Sequence, residues 1–470
     1  MLRHLVVLTL ATGVAGCAAR ADRSSPAPVA PTAPAAPAVL ERSIHAHMQF
    51  LASDALNGRG SGTRDEWIAA TYLGAQLARM GLEPMGEDGW FVQEVEVQRF
   101  AVDGAPGLVI GQRTLTHGDA MLVRAVVAGR VSGPLRRHVA GQPVEPGSAV
   151  VLPADVPTES LGAVSRAAIV LQRETPAARA RWADTAKRPA PVAPQLVNVP
   201  AGAPATATWI TLDSATHDAV MAMDEGAQVT ITATITPGPR TKTWNAVGRL
   251  PGREPAGASE VIVLSAHLDH VGAREAPADN PAADVIFNGA DDDASGVVAV
   301  LELAQALVDG PRPRRTVVVA FFGSEEAGGF GSRYFVHRPV VPLSDIVANL
   351  QFEMIGRPDP MVPPGTLWLT GYERSTLGPQ LVSGGARLVQ DPHPDQRFFE
   401  RSDNIQFARR GVVAHTVSSY GLHKEYHQAS DEIRHINVAH MRDAIASFVE
   451  PVRRLADGDV RPTWNEGLQP

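Results

Sequence analysis

The 470-residue chain has a single cysteine, Cys17, so no disulfide can form within it. Aromatic residues make up only 5% of the sequence, and lysine is very rare, arginine supplying nearly all the positive charge. That charge is outweighed, leaving a formal net charge of -8. Phosphate binding needs a basic face, so this balance argues against nucleic acid as a partner. Long apolar runs are also missing: the stretch from Leu5 to Leu10 is too short for a membrane-spanning helix that would persist in a mature protein.

The N-terminus reads instead as a targeting segment, to be left out of the fold. Arg3 and His4 precede the apolar run, and Val14-Ala-Gly-Cys17 resembles a bacterial lipoprotein cleavage box with Cys17 as the lipidated residue. The expectation is a leader over residues 1–17 and an Ala/Pro-rich extended tether over 18–39. Anchoring at the periplasmic face of a membrane would then run only through the lipid on Cys17. An ordinary leader would instead release a soluble periplasmic or secreted protein.

Chemistry concentrates between His267 and Glu353. Three apolar, strand-like runs each end on candidate ligands: Val261 to Ala266 before His267-Leu-Asp269-His270, Thr316 to Phe322 before Gly323-Ser-Glu325-Glu326, and Val347 to Phe352 before Glu353. Between the first two sits Asn288-Gly-Ala-Asp291-Asp292-Asp293-Ala-Ser-Gly296, followed by Val297, Val300, Leu301, Ala304, Leu307 and Val308 at helical spacing. Strand, helix, strand, strand is the pattern of a parallel sheet, whose crossovers bring strand ends to one edge, where ligands collect. Taken singly, a strand-end histidine or an Asp run before a helix has an ordinary capping role. Together at strand ends they suit a metal hydrolase, because zinc takes imidazole and carboxylate ligands and keeps a catalytic position open for water. Two ions about 3.5 to 4 Å apart need a shared carboxylate, for which the acidic triplet is the natural source. Of Glu325 and Glu326, one can bind metal while the other takes a proton from water.

The segments His267-Leu-Asp-His-Val-Gly272, Asn288 to Gly296, Phe322-Gly-Ser-Glu-Glu-Ala327 and Glu425-Tyr-His-Gln-Ala-Ser-Asp431 resemble those of metallopeptidase family twenty-eight, the zinc aminopeptidases with two co-catalytic metals. The opening Leu51 to Thr63 and Gly81 to Gly86 also read like the start of that family's catalytic domain. The resemblance implies an α/β fold with a mixed, largely parallel central sheet flanked by helices, and two zinc ions per chain. It further implies that His267, Asp291, Glu326, Glu353 and His427 are metal ligands, with Asp291 bridging and Glu353 joining either ion. Glu325 would be the general base, Asp269 would orient His267, and Tyr426 would donate to the developing oxyanion. Asp292 would hold the loop, with a cis peptide after the bridging residue. Many members carry Asp where this chain has Glu353. His270, His415, His423, His435 and His440 receive no ligand role, and Arg401 none at all. The glycines around Gly328 lack the lysine of a phosphate loop.

Residues 117–238 change composition, with short apolar runs between Pro- and Gly-rich turns that predict a β-rich insert. Its place resembles that of a protease-associated domain. The catalytic domain is then expected over 40–116 and 239–456, with a tail over 457–470. The expected substrate is a peptide cleaved from its N-terminus. A carboxypeptidase of the same family, or a single-zinc acyltransferase like glutaminyl cyclase, is the alternative.

Overall fold

The three apolar runs become neighbouring strands. In the computed structural model, Val261–His267, Thr316–Phe322 and Ile346–Phe352 are buried along their whole length and pair in parallel, with Val261–His267 in the middle. Their continuous apolarity follows from having both faces covered. Ile262, Leu264, Val317, Val319 and Phe321 pack beneath helices Glu41–Leu51, Arg64–Arg79, Gly296–Asp309 and Val438–Asp457. Val263, Val318, Ala320 and Phe322 point the other way, against Phe335 and Phe407 of helices Phe330–His337 and Asn404–Ala408. The structure describes residues 39–154, 156, 164, 166–199, 207–253 and 259–470. The expected leader with Cys17, and the tether as far as residue 38, lie outside them.

The sheet extends on one side through Ala414–Ser418, parallel to Ile346–Phe352, to Leu367–Leu369, which runs antiparallel, and Leu388–Gln390. On the other side Thr316–Phe322 meets the end of the long strand Gln228–Leu250 in antiparallel register. This is the mixed, largely parallel sheet with flanking helices that the sequence predicts. Helix ends are capped locally: Thr63 accepts from the Asp65 and Glu66 backbone N–H groups, and Asn437 from that of His440.

The insert is β-rich, as composition predicts, but no flexible linker separates it. Val92–Ile110 and Gln228–Leu250 pair antiparallel and run from the main sheet into a smaller one. There the order continues Arg130–Arg137, Ala149–Val151, Ile169–Arg173, Thr208–Leu212 and Met121–Ala125 around a core that includes Leu135, Val151, Leu171 and Ile210. Residue 238 therefore falls inside a strand. The residues after Asp457 also pack down: Trp464 bridges to Ser375 and sits against Phe399 and His415. Among the described residues no helix is long and apolar enough to cross a membrane.

One cation ties the N-terminal segment to the strand-end loops. Arg59 closes the short helical turn Asp54–Arg59, is 1% exposed, and adopts a positive φ of 48°. Its guanidinium donates to the carbonyls of Leu51, Leu268, Asn288 and Gly289. Gly58 just before it has φ 70°, and a Cβ there would fall 2.2 Å from the carbonyl oxygen of Phe287. Asp269, Asp293, Asp292 and Asp431 favour the Arg59 charge against the cost of burial. Replacing Arg59 by Leu should lower the unfolding free energy by about 3 kcal/mol or more in a denaturant titration, because buried carbonyls of Leu51, Leu268, Asn288 and Gly289 lose their donor at about 1 to 3 kcal/mol each. A change below about 1 kcal/mol, the size of an exposed pair, would show that this cation is not what joins the segments.

Candidate metal centre

The centre lies at the carboxyl ends of the parallel strands. His267 is the last residue of its strand, and Glu353 directly follows another. Glu325 and Glu326 lie on the turn after Phe322. His427 comes from the late loop, at a positive φ of 54°. Asp292 enters from the irregular turn preceding helix Gly296–Asp309, and the Asp292–Asp293 peptide is cis.

Asp292 is the hub. Its Oδ1 lies 3.1 Å from His267 Nε2, and its Oδ2 lies 3.2 Å from His427 Nε2. On one side, His267, Asp292 and Glu353 bring donor atoms within 4.8 Å of one another; on the other, Glu326, Asp292 and His270 do the same. His427 Nε2 is also 3.1 Å from Glu326 Oε2. Glu353 thus falls with His267, a pairing the sequence left open.

Asp291 does not stand where the sequence reading put it. Its Oδ1 accepts from the Gly356 N–H at 2.7 Å, and its Oδ2 is 2.9 Å from His423 Nε2. Its side chain is spent on these contacts, and Asp292 rather than Asp291 is the aspartate that faces His267 and His427. Three consecutive aspartates on a non-helical turn face different ways, and the motif alone does not say which faces the histidines. The cis peptide likewise follows Asp292 rather than Asp291.

The surrounding groups lock this arrangement. Asp269 accepts from the backbone N–H groups of Glu325 (2.9 Å) and Glu326 (3.3 Å) and from the Ser61 hydroxyl, while its Oδ1 stands 3.7 Å from His267 Nδ1. Asp431 accepts from the backbone N–H groups of Asp291 and Asp292. Asp293 accepts from those of His267, Gly296 and Met354. Sequence reasoning missed Arg59, Asp293 and Asp431, though Asp431 closes one of the quoted motifs. His415 and His440 have partners in the interior, Ser375 and Ser419, and His423 serves Asp291. Tyr426 stacks on the His427 ring at 3.9 Å, with its hydroxyl 3.5 Å from an Arg401 nitrogen.

Electrostatics point to missing positive charge. Burial, reinforced by neighbouring carboxylates, raises the pKa of Glu325 well above the ordinary value and that of Glu353 to about 7. Burial opposes a charged His267, yet Asp269 and Asp292 outweigh it and hold its pKa well up. His427, where burial is similarly outweighed by Asp292 and Glu326, rises to about 10. Buried Glu326 Oε1 and Glu353 Oε2 have no hydrogen-bond partner. Buried oxygens of this kind need a donor or a cation. Imidazole and carboxylate are the zinc donor set, so these residues fit divalent metal.

Residues 245–450 match the model of Peptidase family M28. Among curated proteins, a "Probable lipoprotein aminopeptidase LpqL" from Mycobacterium tuberculosis is 33% identical over 26% of this chain and 22% of its own length. "Leupeptin-inactivating enzyme 1" of Streptomyces exfoliatus is 32% identical over 25% of this chain and 24% of its own. The matched segment thus spans about a quarter of each relative. The fold is similar to that of an aminopeptidase from Aneurinibacillus sp. strain AM-1, with a TM-score of 0.51 at 16% identity, covering 89% of this chain and 94% of that one.

The placement of the two aspartates has a direct consequence. Asp292→Asn should lose at least one bound zinc per chain, counted by mass spectrometry after dialysis, whereas Asp291→Asn should keep its zinc and melt at a lower temperature. The reverse pattern would restore Asp291 to the bridge.

Proposed function

We propose, from the match of residues 245–450 to the model of Peptidase family M28, that the chain is an exported, zinc-dependent aminopeptidase using a two-metal centre. The observation that carries this reading is the Asp292 carboxylate, whose two oxygens face two different histidines. His267 and Glu353 would complete one metal position with Asp292, and Glu326 and His427 the other. Bound there, two zinc ions would lower the pKa of a water and polarise a carbonyl, both at neutral pH.

The protein's own groups supply the rest. Glu325 takes a proton from the attacking water as the C–O bond forms and the carbonyl pair moves onto oxygen, and returns it to the leaving amine as the oxyanion collapses and the C–N bond breaks. Its raised pKa, caused first by burial, suits a group that must both accept and give up that proton. Asp269 fixes the backbone of Glu325 and Glu326 and stands behind the His267 ring, acting as a positioning residue. The Tyr426 hydroxyl is the candidate donor to the developing oxyanion. Burial, with Asp292 adding to it, raises the Tyr426 pKa, so the hydroxyl keeps its proton at working pH.

Beside Glu353 a pocket lined by Met354, Trp368, Phe398, Tyr420 and Tyr426, with Arg401 among its residues, offers an apolar wall to the substrate's first side chain. An apolar N-terminal residue is therefore the expected preference. Arg401 also keeps a carboxypeptidase reading in play, since its guanidinium could take a terminal carboxylate. We further propose that the insert limits which peptides reach the cleft, and that Cys17 carries a lipid.

Glu325→Gln should keep its zinc yet lower kcat by about a hundredfold or more, the usual scale of general-base contributions. Near-normal turnover with metal content verified would remove Glu325 from that role. On a panel of free, N-blocked and C-blocked peptides, cleavage should require the free amino end, be abolished by chelation and return with zinc. Cleavage that tolerates an N-terminal block but demands a free carboxylate would favour the carboxypeptidase. Cys17→Ser should move the protein from the membrane fraction to the soluble one; an unchanged distribution would refute lipid anchoring.

A further inference from the structure

His270 has a geometry that the five-ligand set does not use. Its backbone N–H donates to the Arg59 carbonyl at 3.1 Å. Its ring is fully buried against Gly289, where a Cβ would fall 2.6 Å from the imidazole Cγ. Gly289 also has φ 58°, so two independent constraints keep that position a glycine and leave room for the ring. Neither ring nitrogen has a hydrogen-bond partner. A buried imidazole with both nitrogens idle is costly unless something else is meant to sit on one of them.

The direction of the ring identifies that something. His270 Nδ1 stands 2.8 Å from Glu326 Oε1 and 3.8 Å from Asp292 Oδ2. The contact with Glu326 is close but not aligned as a hydrogen bond, since both atoms remain without a partner. Two donor atoms approaching without a proton between them is what convergence on a cation produces. The same carboxylates meet His427 Nε2, at 3.2 Å from Asp292 Oδ2 and 3.1 Å from the second Glu326 oxygen, Oε2, so that Glu326 turns one oxygen to each imidazole. Around a tetrahedral zinc with bonds of about 2.0 to 2.1 Å, ligand atoms lie about 3.3 Å apart. The four separations bracket that value.

Resting on the two-metal reading above, we infer that His270 is a sixth metal-binding residue, ligating through Nδ1 the ion shared by Asp292, Glu326 and His427. The two positions are then unequal. One draws on four protein residues. The other, with His267, Asp292 and Glu353, draws on three, the number at which a zinc position stays open to water.

The test counts and titrates metal in the full chain, using zinc and cobalt as probes and far-UV circular dichroism to verify folding. Wild type should hold two ions. His270→Gln should keep one at wild-type affinity and hold the other about 10- to 100-fold more weakly against a competing chelator, at least the loss usual for disturbing a ligand's support. In cobalt-loaded His270→Cys a thiolate-to-metal charge-transfer band should appear that wild type, whose only cysteine is Cys17, lacks. Should either variant fail to fold, proton NMR of cobalt-loaded wild type gives the same count, with hyperfine-shifted ring N–H signals from three histidines rather than two. Two ions held by His270→Gln at unchanged affinity, no thiolate band, or only two shifted imidazoles would overturn the His270 assignment alone. Fewer than two ions in wild type would overturn the two-metal reading with it.

Discussion

The constraint on which the rest depends is the burial of many carboxylates around very little fixed positive charge. Asp269, Asp291, Asp292, Asp293, Asp403 and Asp431 are each no more than 3% exposed at one end of the sheet. Among the described residues, Arg59 is the arginine buried to this degree beside them, and its donors go to backbone carbonyls rather than to the acids. Backbone N–H groups absorb part of the negative charge, as at Asp293 and Asp431. Asp403 and Asp431 still rise to about 6, burial being the first cause in both and the Asp291 charge adding to it at Asp431. A fold of marginal net stability keeps such a cluster only if something of opposite charge completes it.

That completion also orders the chemistry. The carboxylates divide by their partners: Asp292, Glu326 and Glu353 face the clustered imidazoles or have idle oxygens, while Asp269, Asp293 and Asp431 accept from backbone N–H groups and Asp291 from one such group and from His423. The first set is free to hold cations, and the second fixes the loops that present it. Glu325 belongs to neither, and its isolation among other acids makes it the natural proton carrier.

Much of this was legible before any coordinates. Strands buried on both faces leave unbroken apolar runs, so the positions of His267, Glu325, Glu326 and Glu353 at strand ends could be read directly. The register within Asp291-Asp292-Asp293 could not, because side-chain direction on a turn without regular φ/ψ has no sequence period. A loop histidine is ordinarily solvated, so sequence assigns His270 no role; the close approach of Gly60 and Gly289 on one side and of Glu326 and His427 on the other buries it. Arg59 stands in a Gly-rich opening segment, and nothing local to it in sequence reveals carbonyl partners 209 to 230 residues away. The insert's boundary misled for the opposite reason: composition changes near residue 238, but the strand carrying it does not.

The most direct measurement is anomalous diffraction at the zinc edge from crystals of the zinc-loaded chain. Two peaks, one beside each carboxylate oxygen of Asp292, are the predicted result. A single peak, or a pair centred on Asp291, would contradict the claim that Asp292 joins two cations.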